Sequence, residues 1–251
     1  AKTKPTVNPT AGSADEVIKK RSQFVEIWNR LKPNKLAMAG MVIVVVLVLC
    51  AIFADWIAPY DINMQDPSNR FAYPSLSHPL GTDNYGRDIL SRIIYGGRIS
   101  LLVSFMAVTI SSLIGSLIGA VSGYFGGKVD IIIMRLMDMM MAIPGTLLAI
   151  CVSAMLGSGV WQTAVAVAVG GIAGGSRMMR ATALSIRGEE FIEAARASGS
   201  RHLRIILTHV IPNCLAPLIV ECTLRLGGNI MMISGLSFIG LGVQPPTPEW
   251  G

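Results

Sequence analysis

Two pairs of opposite charges sit inside otherwise apolar stretches of this 251-residue chain. Glu221 and Arg225 are four residues apart, and Arg135 and Asp138 are three apart. On a helix either spacing puts both members on one face, within reach of an ion pair. An ionisable side chain at membrane depth is costly to expose to lipid, so it pairs, faces a bundle interior or lines a polar path. For Glu221 and Arg225 two readings stand open: the wall of a solute path, or a contact with a partner subunit. Arg135 and Asp138 read as a static intramembrane brace, with a gate contact as the alternative.

The other reactive residue types do not assemble into a catalytic set. Asp83, Arg87 and Asp88 are grouped in a polar stretch, without a nucleophile or a metal cluster beside them. Asp83 is expected to cap a helix whose Ile89, Leu90, Ile93 and Ile94 rest on a membrane interface. Met137, Met139, Met140 and Met141 suggest soft-metal thioethers. Near-consecutive positions point around a helix instead of at one site, which favours adaptable packing. Cys50, Cys151, Cys214 and Cys222 form no CxxC or Cys/His cluster and are expected to be reduced, packed thiols. No GxxxxGK[ST] and no HExxH motif occurs, so neither ATP hydrolysis nor zinc hydrolysis is expected of this chain, and no cofactor or metal is expected to bind to it.

The elements that must position these groups are membrane helices. Hydrophobic residues make up 52% of the chain and charged residues 14%, well below the quarter or so usual in soluble domains. Mean hydropathy is +0.56. Five apolar runs, at about 36–54, 99–124, 129–156, 160–179 and 213–236, are each long enough to cross a bilayer. About 35 polar residues precede the first run, too many for a signal peptide. Within them, residues 15–31 carry an apolar stripe of Phe24, Val25, Ile27, Trp28 and Leu31. The stripe reads as an interfacial helix, with a partly disordered tail as the alternative. Gly115, Gly119 and Gly123 recur every fourth residue, and Gly170, Gly171, Gly174 and Gly175 crowd the fourth run. Small residues at such spacing let helix backbones approach closely in lipid.

The net charge of +6 is distributed as a membrane protein's would be. Basic residues precede the first run, and six arginines from Arg177 to Arg204 surround the connection between the fourth and fifth. Acids are richer between the first and second. Positive residues favour the cytoplasm, so the N-terminus, the Lys128 turn between the second and third runs and the 187–212 connection are expected inside. The connection between the first and second runs, where Asp61, Asp66, Asp83 and Asp88 balance Arg70, Arg87 and Arg92, is expected outside. Nucleic-acid binding would require a basic patch on a soluble surface, and no segment supplies one.

The 187–212 connection is itself patterned. Glu189 and Glu190 open a helix of about three turns, where carboxylates suit the positive end of the dipole. Ala194, Ala195 and Ala197 favour it, and Gly199 stands where a left-handed cap is expected. Ser200 is expected to cap a second helix, with an apolar face of Leu203, Ile206, Leu207 and Val210. Pro212 suits the first turn of the fifth span. A short helix set off from the bilayer in this way has the form of a docking element.

Glu193, Ala194 and Ala195, then Gly199, then Ile211 and Pro212 resemble the EAA loop of permease subunits of bacterial ABC importers. The general pattern has isoleucine or a similar residue where this chain has His209, and leucine where it has Ile211. A histidine at that point is familiar in the peptide/nickel branch. His78, Pro79, Leu80, Gly81, Thr82 and Asp83, the stretch from Gly86 to Leu101, the set Asp130, Met134, Arg135, Asp138 and Pro144, and the stretch from Gln244 to Gly251 resemble the same branch, closest to its second permease.

The resemblance covers about residues 36–251 and implies an all-α polytopic transmembrane bundle in the inner membrane. It implies a domain of 36–251 behind a cytoplasmic 1–35 tail. That family has six spans, so the chain is expected to be truncated before its sixth. The resemblance further implies an ATP-driven importer of dipeptides or oligopeptides, with nickel or another small solute as the alternative. A stand-alone secondary transporter is the rival class. Implied partners are a homologous second permease, two cytoplasmic ATPases that hold ATP and magnesium, an extracytoplasmic binding protein and the bilayer. Glu190, Glu193, Ala194, Ala195, Arg196 and Gly199 are implied to couple to the ATPase.

Overall fold

The structure is a computed structural model in which residues 28–29 and 31–251 are described. Nearly all of the expected interfacial helix at 15–31, and all of the tail before it, lie outside the described residues. The chain divides into two compact units at Val46 and Leu47, and among the described residues every regular element is helical.

The first apolar run becomes α1, Lys35–Ile52, whose 18 residues suffice to span a hydrocarbon core. A short turn of helix, α2, Ala54–Ile57, follows it. The last carbonyls of α1 lack helical partners, and Arg98 supplies donors to two of them: Nε to Ala51 O and Nη2 to Ile52 O, each 2.9 Å. The same guanidinium pairs with Asp55 at 3.1 Å, and Tyr95 donates to Asp55 at 2.7 Å.

The second span is longer than the apolar run suggests. Helix α3, Ile89–Phe125, has 37 residues and runs unbroken through the stretch expected to lie as a separate interfacial helix. At 1.5 Å per residue it is about 55 Å long and projects well beyond a bilayer core of about 30 Å. Its cap is Asp88, not Asp83: the Asp88 carboxylate accepts from Ser91 N at 2.8 Å and Ser91 Oγ at 2.7 Å. Asp83 lies five residues earlier, in a turn of its own.

The third run is broken. Helix α4, Gly127–Met141, and helix α5, Gly145–Leu156, meet at an angle of 83°. Pro144 explains the break. It disfavours helical backbone at the residue before it and provides no N–H to continue the ladder.

Helix α6, Val160–Ile186, runs past the expected end of the fourth span. Helices α1, α3 and the fifth-span helix α10, Leu215–Phe238, are long and apolar enough to cross a membrane, and the bent α4–α5 pair makes a fourth. At 27 residues α6 is long enough, but glycines, Arg177 and Arg180 dilute its apolar character. It is shielded along its length by α3.

The α3–α6 contact is the spine of the fold, and the glycine ladder makes it close. A methyl group at Gly119 would collide with Ser176 O and stand 2.8 Å from Met179 Cβ; one at Gly123 would stand 2.7 Å from Ala183 Cβ. The packing expected of this ladder is therefore present. At one end of the bundle, the segment after α10 folds over the start of α3. Trp250 Nε1 donates to Ile93 O at 2.9 Å, Trp250 N donates to Ser100 Oγ at 3.2 Å, and the indole lies against Gly97. The connection between α6 and α10 sits at the opposite end, around Tyr124.

Candidate functional site: an exposed short helix and a polar seam

Helix α7, Glu190–Ala197, forms where the sequence places it. Glu190 and Glu193 stand in its first turn and Arg196 in its last, both favourable to the helix dipole. Ser200 N bonds to Ala195 O at 3.1 Å and Gly199 N to Arg196 O at 3.0 Å. This double closure requires a left-handed residue, and Gly199 has φ +77°. Ile192 and Ala195 turn inward to a core formed with Tyr124, Met179, Ala183 and Ile205. Glu190, Glu193, Ala194, Arg196 and Gly199 are exposed. Of the six residues implied to couple, then, Ala195 faces the protein's own core. Arg196 lies over the ring of Tyr124, its guanidinium carbon 4.7 Å from the centroid.

The second half of the connection departs from the expected helix. Helix α8, His202–Ile205, has Arg201 at its N-cap position without any side-chain cap, so Ser200 does not cap it. It passes into a π-helical turn, Ile206–Val210, closed by the Ile211 N–H on Ile206 O, and then into α9, Ile211–Asn213. The wider π step splits the expected apolar face. Ile205, Ile206 and Val210 are buried, whereas Leu203 is 65% and Leu207 47% exposed. Phe191 of α7 is 40% exposed, with its ring 6.5 Å from that of His209.

Three ion pairs lie along or between the helices. Glu221 and Arg225 pair as their spacing suggests, at 2.8 Å. Arg225 Nη1 also donates to Gly171 O at 2.5 Å, and Gly171 and Gly174 leave the room its guanidinium occupies. The expected Arg135–Asp138 brace is not formed. Asp138 pairs with Arg177 of α6, and Arg135 is exposed and makes no ion pair among the described residues. Arg135 and Asp138 share a face of α4, but the Asp138 carboxylate is taken by Arg177 across the contact with α6. The brace that does exist joins Asp130 of α4 to Arg180 of α6 through two bonds of 2.5 and 2.6 Å, with Ser122 of α3 also donating to Asp130. Fifty residues separate its two charges, and the sequence marks Asp130 only as part of the set that resembles the permease family.

Away from the spans, Asp83 and Asp88 organise the polar connection. Asp88 meets His78 Nδ1 at 3.0 Å, and Tyr60 stacks on that imidazole. Burial raises the Asp88 pKa, but donors from Ser91 and His78 outweigh it and hold the carboxyl below its ordinary range. Asp83 behaves alike: burial is opposed by the N–H groups of Arg87 and Tyr85 and by the Arg87 guanidinium, with a net lowering. The geometry is structural, since each carboxylate is saturated by local donors.

An all-α fold with several apolar spans, charged pairs facing its interior and a short amphipathic helix displayed at one end defines a polytopic membrane protein of permease type. Residues 113–251 match the family described as binding-protein-dependent transport system inner membrane component, and residues 22–77 match the N-terminal TM domain of oligopeptide transport permease C. The chain is 41% identical over 251 residues to the dipeptide transport system permease protein of Alkalihalophilus pseudofirmus, covering 100% of this chain and 83% of that one. It is 40% identical over 252 residues to the di/tripeptide transport system permease protein of Pseudomonas aeruginosa, covering 96% and 82%. With the glutathione transport system permease protein of Escherichia coli it shares 44% identity over 232 residues, covering 92% and 77%. The chain belongs to the binding-protein-dependent transport system inner membrane component family: it is a multi-pass inner-membrane transport permease.

Proposed function

We propose that this permease carries small peptides inward, as one of two homologous membrane subunits driven by a pair of cytoplasmic ATPases and loaded by an extracytoplasmic binding protein. The named cargoes of its relatives, dipeptides, di/tripeptides and glutathione, favour peptides over nickel. The chain itself hydrolyses nothing: ATP and magnesium belong to the ATPases. The N-terminus and α7 face the cytoplasm. This orientation is supported by the bias of basic residues. Lys128, Arg187, Arg196, Arg201 and Arg204 lie at or beside the α7 end and form no ion pair among the described residues, whereas Arg87, Arg92 and Arg98 at the other end each meet an aspartate.

The observation that carries the reading is the exposed patch at α7. Glu190 and Glu193 are exposed on α7 with Phe191, and Leu203 and Leu207 are large apolar side chains left in the open on the segment that follows it. A helix so presented suits a groove with an apolar floor and a basic rim on a partner. Glu221 and Arg225, placed against Gly171 and Gly174, are assigned to the solute path, where fixed opposite charges suit a peptide's two termini.

The test is co-purification. The chain is co-expressed with its companion permease and ATPases, and ATPase recovery is compared among wild type, Glu193→Arg and Leu203→Asp. The expected result is retention with wild type and loss in both variants, with membrane insertion unchanged. Equal recovery in all three would mean that the ATPase docks elsewhere than on α7; no recovery in any would make a stand-alone transporter the better reading.

A further inference from the structure

We propose that Tyr124 is the positioning residue that transmits movement of α7 into the membrane bundle. The proposal rests on α7 being the ATPase docking element. Tyr124 stands in the last turn of α3 and is 2% exposed. Its hydroxyl accepts from Arg196 Nε of α7 at 3.3 Å and bonds to His202 Nδ1 of α8 at 2.9 Å. The Arg196 guanidinium also lies over its ring. Phe125 closes the cluster, edge-on to Tyr124 at 5.2 Å and 5.4 Å from the His202 ring. One phenol is thereby bonded to both arms of the connection.

The chain linking α7 to its neighbours is a poor lever. Toward α6, Gly188 is exposed and has open space where a side chain would be, a joint that absorbs rotation. Toward α8, the left-handed Gly199 cap turns the chain away from the helix axis. Sideways, by contrast, α7 is joined to α3 by Ile192 and Ala195 packing in the core around Tyr124 and by the Arg196–Tyr124 contact. Helix α3 is in turn locked to α6 at Gly115, Gly119 and Gly123, where no Cβ fits without displacement. A push on α7 therefore reaches α3 and α6 as a body through its lateral contacts, and the only polar ones among the described residues run through the Tyr124 hydroxyl. Apolar packing alone lets a short helix slide, whereas directional bonds and a stacked guanidinium fix its angle.

The experiment uses the assembled transporter in proteoliposomes with its companion permease, ATPases, binding protein and a dipeptide. Wild type, Tyr124→Phe, Arg196→Lys and the double variant are compared for ATPase recovery, melting temperature and dipeptide transported per ATP hydrolysed. Tyr124→Phe keeps the ring and removes only the hydroxyl; Arg196→Lys keeps the charge and removes the planar fork. In Tyr124→Phe, ATPase recovery is expected to stay at the wild-type value while transport per ATP falls at least about fivefold, the lower end of measured site-to-site coupling. Arg196→Lys, on the docking helix itself, is expected to show the same fall in the complexes that retain the ATPase. The double variant is expected to lose less than the two single losses combined, because both remove the Arg196–Tyr124 hydroxyl bond. Unchanged transport per ATP in Tyr124→Phe, or additive losses in the double variant, overturns the proposal while leaving α7 docking intact. Failure of the ATPase to co-purify with wild type overturns the docking reading and this proposal together.

Discussion

Asp130 in α4 and Arg180 in α6 are joined by two parallel bonds of 2.5 and 2.6 Å, and Ser122 of α3 donates to the same carboxylate. Three helices thus meet at one charge. Breaking a buried ion pair by removing one partner costs about 3–5 kcal/mol, and the partial exposure of Arg180 reduces this to about 2 kcal/mol. Asp130→Asn and Arg180→Ala are each expected to lower thermal stability in detergent by that amount. The double variant is expected to lose less than the sum of the two. Additive losses in the thermal melts would show that the two charges do not act on one another.

The glycine ladder gives a contrast of sign. Gly119→Ala puts a methyl into Ser176 O and within 2.9 Å of Arg180 N, whereas a methyl at Gly228 in α10 meets nothing within 4 Å. Overpacking of this kind costs about 1–3 kcal/mol. Alanine in place of an unconstrained helical glycine gains up to about 1 kcal/mol. Gly119→Ala is therefore expected to melt at a lower temperature than wild type and Gly228→Ala at the same temperature or higher. Equal melting of the two variants would remove the close-packed α3–α6 seam as the reason for the ladder.

Acid sensitivity follows from Asp83 and Asp88. Both carboxyls are held below their ordinary pKa in the folded chain. A depressed carboxylate contributes stability that is complete above its unfolded pKa and is lost as pH falls through the folded value. The segment containing His78 and Asp88 is expected to stay closed at neutral pH and to loosen only below about pH 4, where an unfolded aspartate protonates. Hydrogen exchange of the Ser91 amide, which donates to Asp88 at 2.8 Å, is the readout. Asp88→Asn is expected to raise that exchange at pH 7 and to flatten its acid response. An amide equally protected at pH 3 and pH 7 in wild type would mean that the aspartate is not what holds the turn.

What the sequence disclosed and what it hid follow from the range of each interaction. The apolar runs, the Gly115–Gly119–Gly123 spacing, the left-handed Gly199 and the Glu221–Arg225 pair are local, and each was legible within a turn or two of chain. Asp130 with Arg180 and Asp138 with Arg177 are tertiary; nothing in the spacing of Arg135 and Asp138 reveals that a third residue on α6 takes the carboxylate. Pro144 was visible, but within a long apolar run its breaking effect was outweighed by hydropathy. The Leu203–Val210 face departs from the α-helical period of its apolar residues because the bonded step at Ile206–Val210 is a five-residue one. The coupling residues were drawn from a motif, and the motif does not distinguish Ala195, which packs inward, from Glu193, which points out.

The Arg225 guanidinium is held between Glu221 at 2.8 Å and Gly171 O at 2.5 Å, and a methyl at Gly174 would collide with it. If this pair lines the solute path, displacing the guanidinium should impair transport without disturbing ATPase docking at the distant α7. Arg225→Ala removes the positive charge and is expected to reduce dipeptide uptake at least about tenfold, the effect of losing a charge-assisted contact worth about 1.5–3 kcal/mol. Gly174→Ala keeps every charge but moves the guanidinium, so a smaller loss in the same direction is expected. Arg225→Lys is expected to rescue only part of the activity, because an ammonium cannot bond Glu221 and Gly171 O as a planar fork does. Uptake into proteoliposomes, alongside ATPase recovery, separates the cases. Loss of uptake with full ATPase recovery places the pair on the path; loss of both identifies Arg225 as a structural tie between α10 and α6; wild-type uptake in Arg225→Ala and Gly174→Ala excludes the pair from solute handling altogether.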